Sequence, residues 1–273
     1  MSDIVLSAGV RSNLLQLQQT SDLITQTQNR LATGKKVNSA LDNAINFFTA
    51  QGLDTRANNL NSLLDSMSNG INTIQAANNG MTSITKLVQS AQALVSQAQQ
   101  ANNTTTQAAL STQFNSLLAQ IGQLAGDSGF NGVNLLAGNT LTVTMNETAT
   151  STVSVTGVNC TNANNSPLSI ANAANNWAGA SDITAASTAL SAALTSLQSE
   201  SQTLSSSLST VQIRQDFTKA MVNTLQSGSA NLTLADSNAE GANLLALQTR
   251  QQLSSTALSL AAQADQNVLR LFR

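Results

Sequence analysis

Histidine and tyrosine are absent from this chain of 273 residues, and cysteine, tryptophan and proline each occur once. Only 9% of residues are charged and 3% are aromatic. Each shortage excludes some chemistry. Without histidine the commonest zinc ligand is missing, and one cysteine cannot build a thiolate site. Catalysis usually recruits His, Cys or clustered carboxylates, which leaves only proton transfer by Asp or Glu. The chain therefore reads as a non-enzyme with no cofactor and no metal. A net charge of −2 with 11 basic residues makes no basic stripe for nucleic acid, and the aromatic shortage removes base-stacking platforms. Cys160 has no partner for an intramolecular disulfide, so stability rests on packing. Met1 to Leu17 lacks a basic stretch followed by an apolar one, so no cleavable secretory signal is expected. No run approaches the roughly 18 apolar residues that span a bilayer. Composition alone gives a soluble, cytoplasmic default.

Scarcity of proline permits long helices, and Leu, Ala and Gln favour them. Val10, Leu14, Leu17, Ser21, Ile24, Gln28 and Leu31 alternate spacings of four and three, which draws a seam along one helix face. Leu60, Leu64, Met67, Ile71, Ile74 and Asn78 repeat the rhythm, as do Ile84, Val88, Ala91, Val95 and Ala98. In the second half it runs unbroken from Leu190 to Leu225. Near the C-terminus Leu244, Leu247, Gln251, Ser254, Leu258, Ala261, Asp265, Val268 and Phe272 form one stripe, with Leu253, Ala257, Leu260, Ala264 and Leu271 beside it. That last helix is apolar over a wider arc than one partner helix covers.

Boundaries are legible as well. Ser39 with Asp42, and Ser237 with Glu240, have capping-box spacing, and Gly34 and Gly228 mark expected breaks before them. A helix from about Asn43 to Gln100 would be about 87 Å long. Between the helical halves, Leu141, Val143 and Met145 alternate with threonines, then Val153 and Val155 with Ser and Thr, which predicts a β-hairpin. Residues 157–180, with Pro167 and Trp177, read as an irregular connection. The expected fold is mainly α: long coiled-coil-like helices from both termini paired in a rod, with a small β-hairpin.

The run Asn29-Arg30-Leu31-Ala32-Thr33-Gly34-Lys35-Lys36-Val37-Asn38-Ser39-Ala40 resembles the signature Arg-Leu-Ser-Ser-Gly-Lys/Arg-Arg-Ile-Asn-Ser-Ala of bacterial flagellins. Asp42-Asn43-Ala44 stands where that family has Asp-Asp-Ala. The stretch Asn69 to Ala77 resembles its Asp-Gly-Ile-Ser-Met-Ile-Gln-Thr-Ala, and Phe130-Asn131-Gly132 its Phe-Asn-Gly turn. Ala239 to Gln248 and Gln263 to Leu271 resemble its terminal helix. The likeness covers roughly residues 1 to 140 and 185 to 273, and the unmatched stretch falls where the family inserts its variable outer domains.

This resemblance implies a filament subunit that polymerises with itself for swimming motility. It implies residues 1–36 and 236–273 as helices of an inner coiled-coil domain, 37–138 and 181–235 as the surrounding core domain, and 139–180 as hairpin and connection. Export through the flagellar type III apparatus, an export chaperone, a distal cap, hook-junction proteins and an extracellular location follow from the likeness, with no nucleic-acid or membrane partner. Terminal helices with seams and few charges are expected to be disordered alone and to fold on assembly.

Polar seam residues Ser21, Gln28, Gln251, Ser254 and Asp265 either weaken a helix pair or permit sliding. Arg30, Arg56 and Arg250 either pair locally or reach another subunit. Family members seen by an innate immune receptor carry a charged patch that Gln89 to Val95 lacks, so poor recognition is expected. The exposed Ser and Thr are either plain hydroxyls or sugar acceptors, and the sequons at Asn102 and Asn146 are expected by chance. A hook–filament junction protein is the alternative with similar ends. A secreted coiled-coil effector would leave the Arg30 to Ala40 signature unexplained.

Overall fold

The computed structural model describes residues 8–165 and 167–271, with side chains described for all of these except 265 and 268–271. Among the described residues five α-helices and one hairpin follow in order: α1 (Ala8–Thr33), α2 (Ala40–Gln100), α3 (Thr104–Asp127), β1 (Thr140–Thr144), β2 (Thr152–Thr156), α4 (Ala180–Thr233) and α5 (Ser237–Leu271), with a single 3-10 turn at Ala174–Trp177. The chain is mainly α with a small antiparallel hairpin, as the spacing predicts. It divides into two compact units, Arg56–Asn223 and Met1–Thr55 with Thr224–Arg273.

The unit 56–223 holds the hydrophobic core. Met67, Ile74, Met81, Val88 and Val95 recur every seven residues on α2 and are fully buried, with Ala77, Ile84, Ala91 and Ala98 alongside. Ile183, Leu190, Leu197, Leu204 and Val211 keep the same period on α4, and Phe114, Leu118 and Ile121 come from α3. Each such side chain contributes about 1.5–3 kcal/mol on burial, which outweighs the weak helix propensity of the many Ser, Thr and Asn between them. Those hydroxyls bond back to the carbonyl four residues earlier, as Thr73 does to Asn69 at 2.9 Å. Asn103 caps α3, its Oδ1 accepting from Thr105 N–H at 2.7 Å.

The hairpin pairs Leu141 with Val155 and Val143 with Val153. Val143, Met145 and Val155 point into the core, so the alternation read from sequence sorts the two faces correctly. A Cβ at Gly70 would meet Val143 Cγ2 at 2.6 Å, so glycine is what lets the strand lie on α2. Residues beyond the hairpin continue the pairing, with Val158 N–H bonded to Leu135 O at 2.7 Å and Cys160 N–H to Leu136 O at 2.8 Å. The connection 157–180 is irregular but not loose. Its Trp177 is fully buried and packs on Phe114 with ring centroids 4.9 Å apart.

Two boundary readings change. Gly228 lies inside α4, which runs on to Thr233, so it does not end the helix, and a Cβ there would only touch Leu53. Helix α5 is capped by Asp236, whose Oδ1 accepts from Asn238 N–H at 2.9 Å and Ala239 N–H at 3.2 Å. Ser237 is therefore one residue inside the cap, and the carboxylate of Glu240 is free for another partner.

Candidate assembly surface

The unit formed by both ends is built on two chain breaks that hold each other. Gly34, at φ +67°, ends α1 in the left-handed conformation that glycine adopts at least cost. The chain then runs extended beside the end of α4. Lys36 N–H donates to Thr233 O at 2.7 Å, Ala235 N–H donates to Gly34 O at 2.9 Å, and Lys35 bridges Leu234. Asn38 Nδ2 bonds Thr33 Oγ1 at 2.9 Å. The Asp42 carboxylate accepts from the backbone N–H groups of Asn38 and Ser39 and from the Ser39 hydroxyl. Those backbone hydrogen bonds, Asn38 first, hold the Asp42 carboxyl below its ordinary value, with more distant Arg30 adding a little. Asn43 breaks the first turn with φ −163°, and its Oδ1 caps the helix that follows by accepting from Asn46 N–H at 3.0 Å.

Helix α1 packs along α5. Val10 and Ile24 are buried in this pairing and Leu17 and Leu31 half-buried. Leu14, by contrast, is 41% exposed, and Ser21 and Gln28 are exposed with it. The second line of the α1 seam is Thr20 and Thr27, both buried. Their positions share the seven-residue period of Ser21 and Gln28, and a threonine hydroxyl satisfied within its own helix is buried at little cost. Thr20 Oγ1 donates to Gln16 O at 2.8 Å. On α5, Leu244, Leu247, Gln251, Ser254, Leu258 and Ala261 are all half-buried. The side chains of Asp265, Val268 and Leu271, and all of Phe272, lie outside what the structure describes.

Arg30 closes the pair at one end. Its Nη1 lies 3.1 Å from Glu240 Oε1, and both side chains are largely shielded from water. Arg56 likewise pairs with Glu147 of the hairpin connection at 2.7 Å. Both arginines thus have local partners, while Arg250 is exposed beside the α1–α5 groove.

What the pairing leaves open is the more informative feature. No described residue of α5 is fully buried. Leu253 and Leu260, on its second stripe, are 67% and 62% exposed, and Ala257 and Ala264 are exposed with them. Leu15 and Leu23 on α1 and Leu245 on α5 are exposed as well. At the start of α2, Leu41 is 98% exposed, and Ile45 and Phe48 continue its line. Isolated exposed leucines are ordinary, but a contiguous apolar stripe on a polar helix marks an interaction surface.

The third signature lies in the other unit. Asn131 and Gly132 take φ +47° and +80° and form the two-residue turn that asparagine–glycine favours. Phe130 and Val133 exchange both backbone bonds across it, at 2.9 and 3.0 Å. Asn134 then seals the end of α3, its Nδ2 donating to Ala125 O and Gly126 O, each at 2.8 Å. An asparagine after a turn carries no periodic signal, so this role is not legible in the sequence. Among the described residues, no group of three or more Cys, Asp and Glu converges as a metal site, and no helix is long and apolar enough to cross a membrane.

Known proteins match this sequence along its whole length. Residues 8–140 match the family described as bacterial flagellin N-terminal helical region. The chain is 34% identical to flagellin FljK and 35% identical to flagellin FljN of Caulobacter vibrioides, covering all of this chain and 99% of each relative. A flagellin of Brucella melitensis is 29% identical across the full length of both. With paired helical ends, an open apolar stripe and full-length identity of this order, the chain belongs to the bacterial flagellins, the structural subunits of the extracellular flagellar filament.

Proposed function

We propose that α1 and α5 of this flagellin complete their burial only between subunits, so that polymerisation is the last step of folding. The observation that carries this is α5, apolar over a wide arc yet without one fully buried described residue. A Leu taken from exposed to buried contributes about 1.5–3 kcal/mol, so covering Leu253, Leu260 and Leu245 adds a share of the free energy that ordering a terminal helix requires, beside its own hydrogen bonds and its pairing with α1. Contacts of head-to-tail type that do not close generate an open helical filament.

In this reading residues 1–36 and 236–273 form the inner layer, residues 37–138 and 181–235 the layer around it, and the hairpin region 139–180 the outer side. The seam of Val10, Leu17, Ile24 and Leu31 against Leu244, Leu247 and Leu258 sets the register, and Leu14 and Leu260 face neighbouring subunits. Family membership supports delivery through the flagellar type III apparatus with an export chaperone, and addition beneath a cap beyond the hook-junction proteins.

The test is electron microscopy of purified subunit added to short filament seeds. Elongation is expected. Binding at seed ends without growth would instead indicate a junction protein. Limited proteolysis of the monomer should cut residues 1–35 and 240–273 before the middle, and equal resistance of the ends would remove the coupling of folding to assembly.

A further inference from the structure

Three asparagine–glycine pairs occur in the chain, at Asn69–Gly70, Asn79–Gly80 and Asn131–Gly132. All three asparagines are exposed, so access of water does not distinguish them. Their backbones do. Asn69 and Asn79 sit within α2, where each peptide N–H is held by the carbonyl four residues earlier. Gly70 and Gly80 are buried besides, walled by Val143 in one case and by Ser128 and Leu136 in the other.

Asn131 and Gly132 are both exposed, and the two bonds across their turn use only Phe130 and Val133. Nothing lies within 4 Å of the place where a Cβ of Gly132 would be.

We infer that Asn131 is a site of spontaneous deamidation, with water as the co-reactant, and that Asn69 and Asn79 are protected by their helix. The backbone nitrogen of Gly132 gives up its proton to solvent base and attacks Asn131 Cγ. The Cγ–Nδ2 bond breaks and the nitrogen departs as ammonia, leaving a five-membered succinimide. Water then opens the ring at either carbonyl. One product is an aspartate at 131. The other is its isoaspartyl isomer, in which the main chain runs through the side-chain carbon.

Either product adds one negative charge, taking the net from −2 to −3. The isomer also lengthens the main chain inside a two-residue turn, which the closely spaced Phe130 and Val133 bonds cannot accommodate unchanged. Residues Phe130, Asn131 and Val133 line a groove with Leu141 and Val143 of the hairpin. The chemistry therefore alters the surface of that groove as the protein ages.

The folded full-length chain is incubated at mildly alkaline pH and followed by peptide mapping, isoelectric focusing and labelling with an isoaspartyl methyltransferase. Asn131 is expected to lose its amide on the order of tenfold or more faster than Asn69 or Asn79, because the helix must open locally before those can react. In the denatured chain the three should convert at similar rates. Asn131→Gln, which removes the five-membered ring, should abolish the first acidic species. Retention of the Asn131 amide in the folded chain while the denatured chain loses it would overturn the inference, as would equal conversion of the helical pairs.

Discussion

Arg30, in the last turn of α1, places its Nη1 3.1 Å from Oε1 of Glu240, in the first turn of α5, although 210 residues separate them in sequence. The pair joins the entrance of one terminal helix to the exit of the other. Each charge also suits its end of its helix, the cation at a C-terminus and the anion at an N-terminus.

Removing one member leaves the other shielded and unpaired. Glu240→Gln is expected to weaken the α1–α5 pairing by about 1–2 kcal/mol, and Arg30→Gln by a similar amount. Thermal depolymerisation of filaments reads the effect. The double variant should cost less than the sum of the singles, and strict additivity would show that the two groups do not interact.

Asp42 makes the break between α1 and α2 acid-sensitive. An unfolded aspartate titrates near pH 4, and hydrogen bonds from Asn38 and Ser39 depress the folded value. The contribution is thus fully present above about pH 4 and is lost as pH falls through the depressed folded pKa. Unfolding midpoints followed downward from about pH 5 should fall more steeply for the wild type than for Asp42→Asn. Parallel curves would assign the acid sensitivity elsewhere.

Leu253 and Leu260 separate folding from assembly. Both are largely exposed in the subunit, so Leu253→Ser and Leu260→Ser should change monomer stability by about 0.5 kcal/mol or less. Seeded elongation should slow strongly or stop. Normal elongation by the double variant would mean that the second stripe of α5 is not covered in the filament.

The Phe114–Trp177 contact anchors the connection 157–180 to α3. Phe114→Ala is expected to cost about 3–5 kcal/mol through the cavity it leaves. Since Trp177 is the only tryptophan, its emission should shift to the red as its ring gains water. An unchanged spectrum would mean that the connection recloses over the gap.

Burial, with a smaller push from the Glu200 charge, raises the Cys160 thiol to about 11. At pH 8 its thiolate fraction is then roughly one in a thousand, against about one in four for a free thiol. Alkylation of the native protein should be more than about a hundredfold slower than of the denatured chain, and comparable rates would show that the site opens readily.

Much of this fold follows from local chemistry. A seven-residue apolar period needs only one helix to express it, and Met67 to Val95 on α2 and Leu190 to Val211 on α4 are buried along those lines. Period-two threonines and valines place the hairpin, and asparagine followed by glycine at 131–132 places the separate turn between Phe130 and Val133, with φ above zero at both positions. The sequence of this protein by itself determined its helices, its hairpin and its family.

Tertiary structure decided what repeats ambiguously or reaches far. On α1 the lines through Thr20 and Thr27, and through Ser21 and Gln28, lie on either side of Val10, Leu17, Ile24 and Leu31 with one and the same period. Periodicity cannot choose between them, and only the face of α5 does. Asp236 rather than Ser237 caps α5, two residues after Leu234 pairs with Lys35, and that pairing is invisible until both breaks meet. Glu240, thereby released from capping, becomes the partner of Arg30. A contact closed across 210 residues leaves no trace in any local window, because its energy depends on where the two helices lie and not on what precedes or follows either residue.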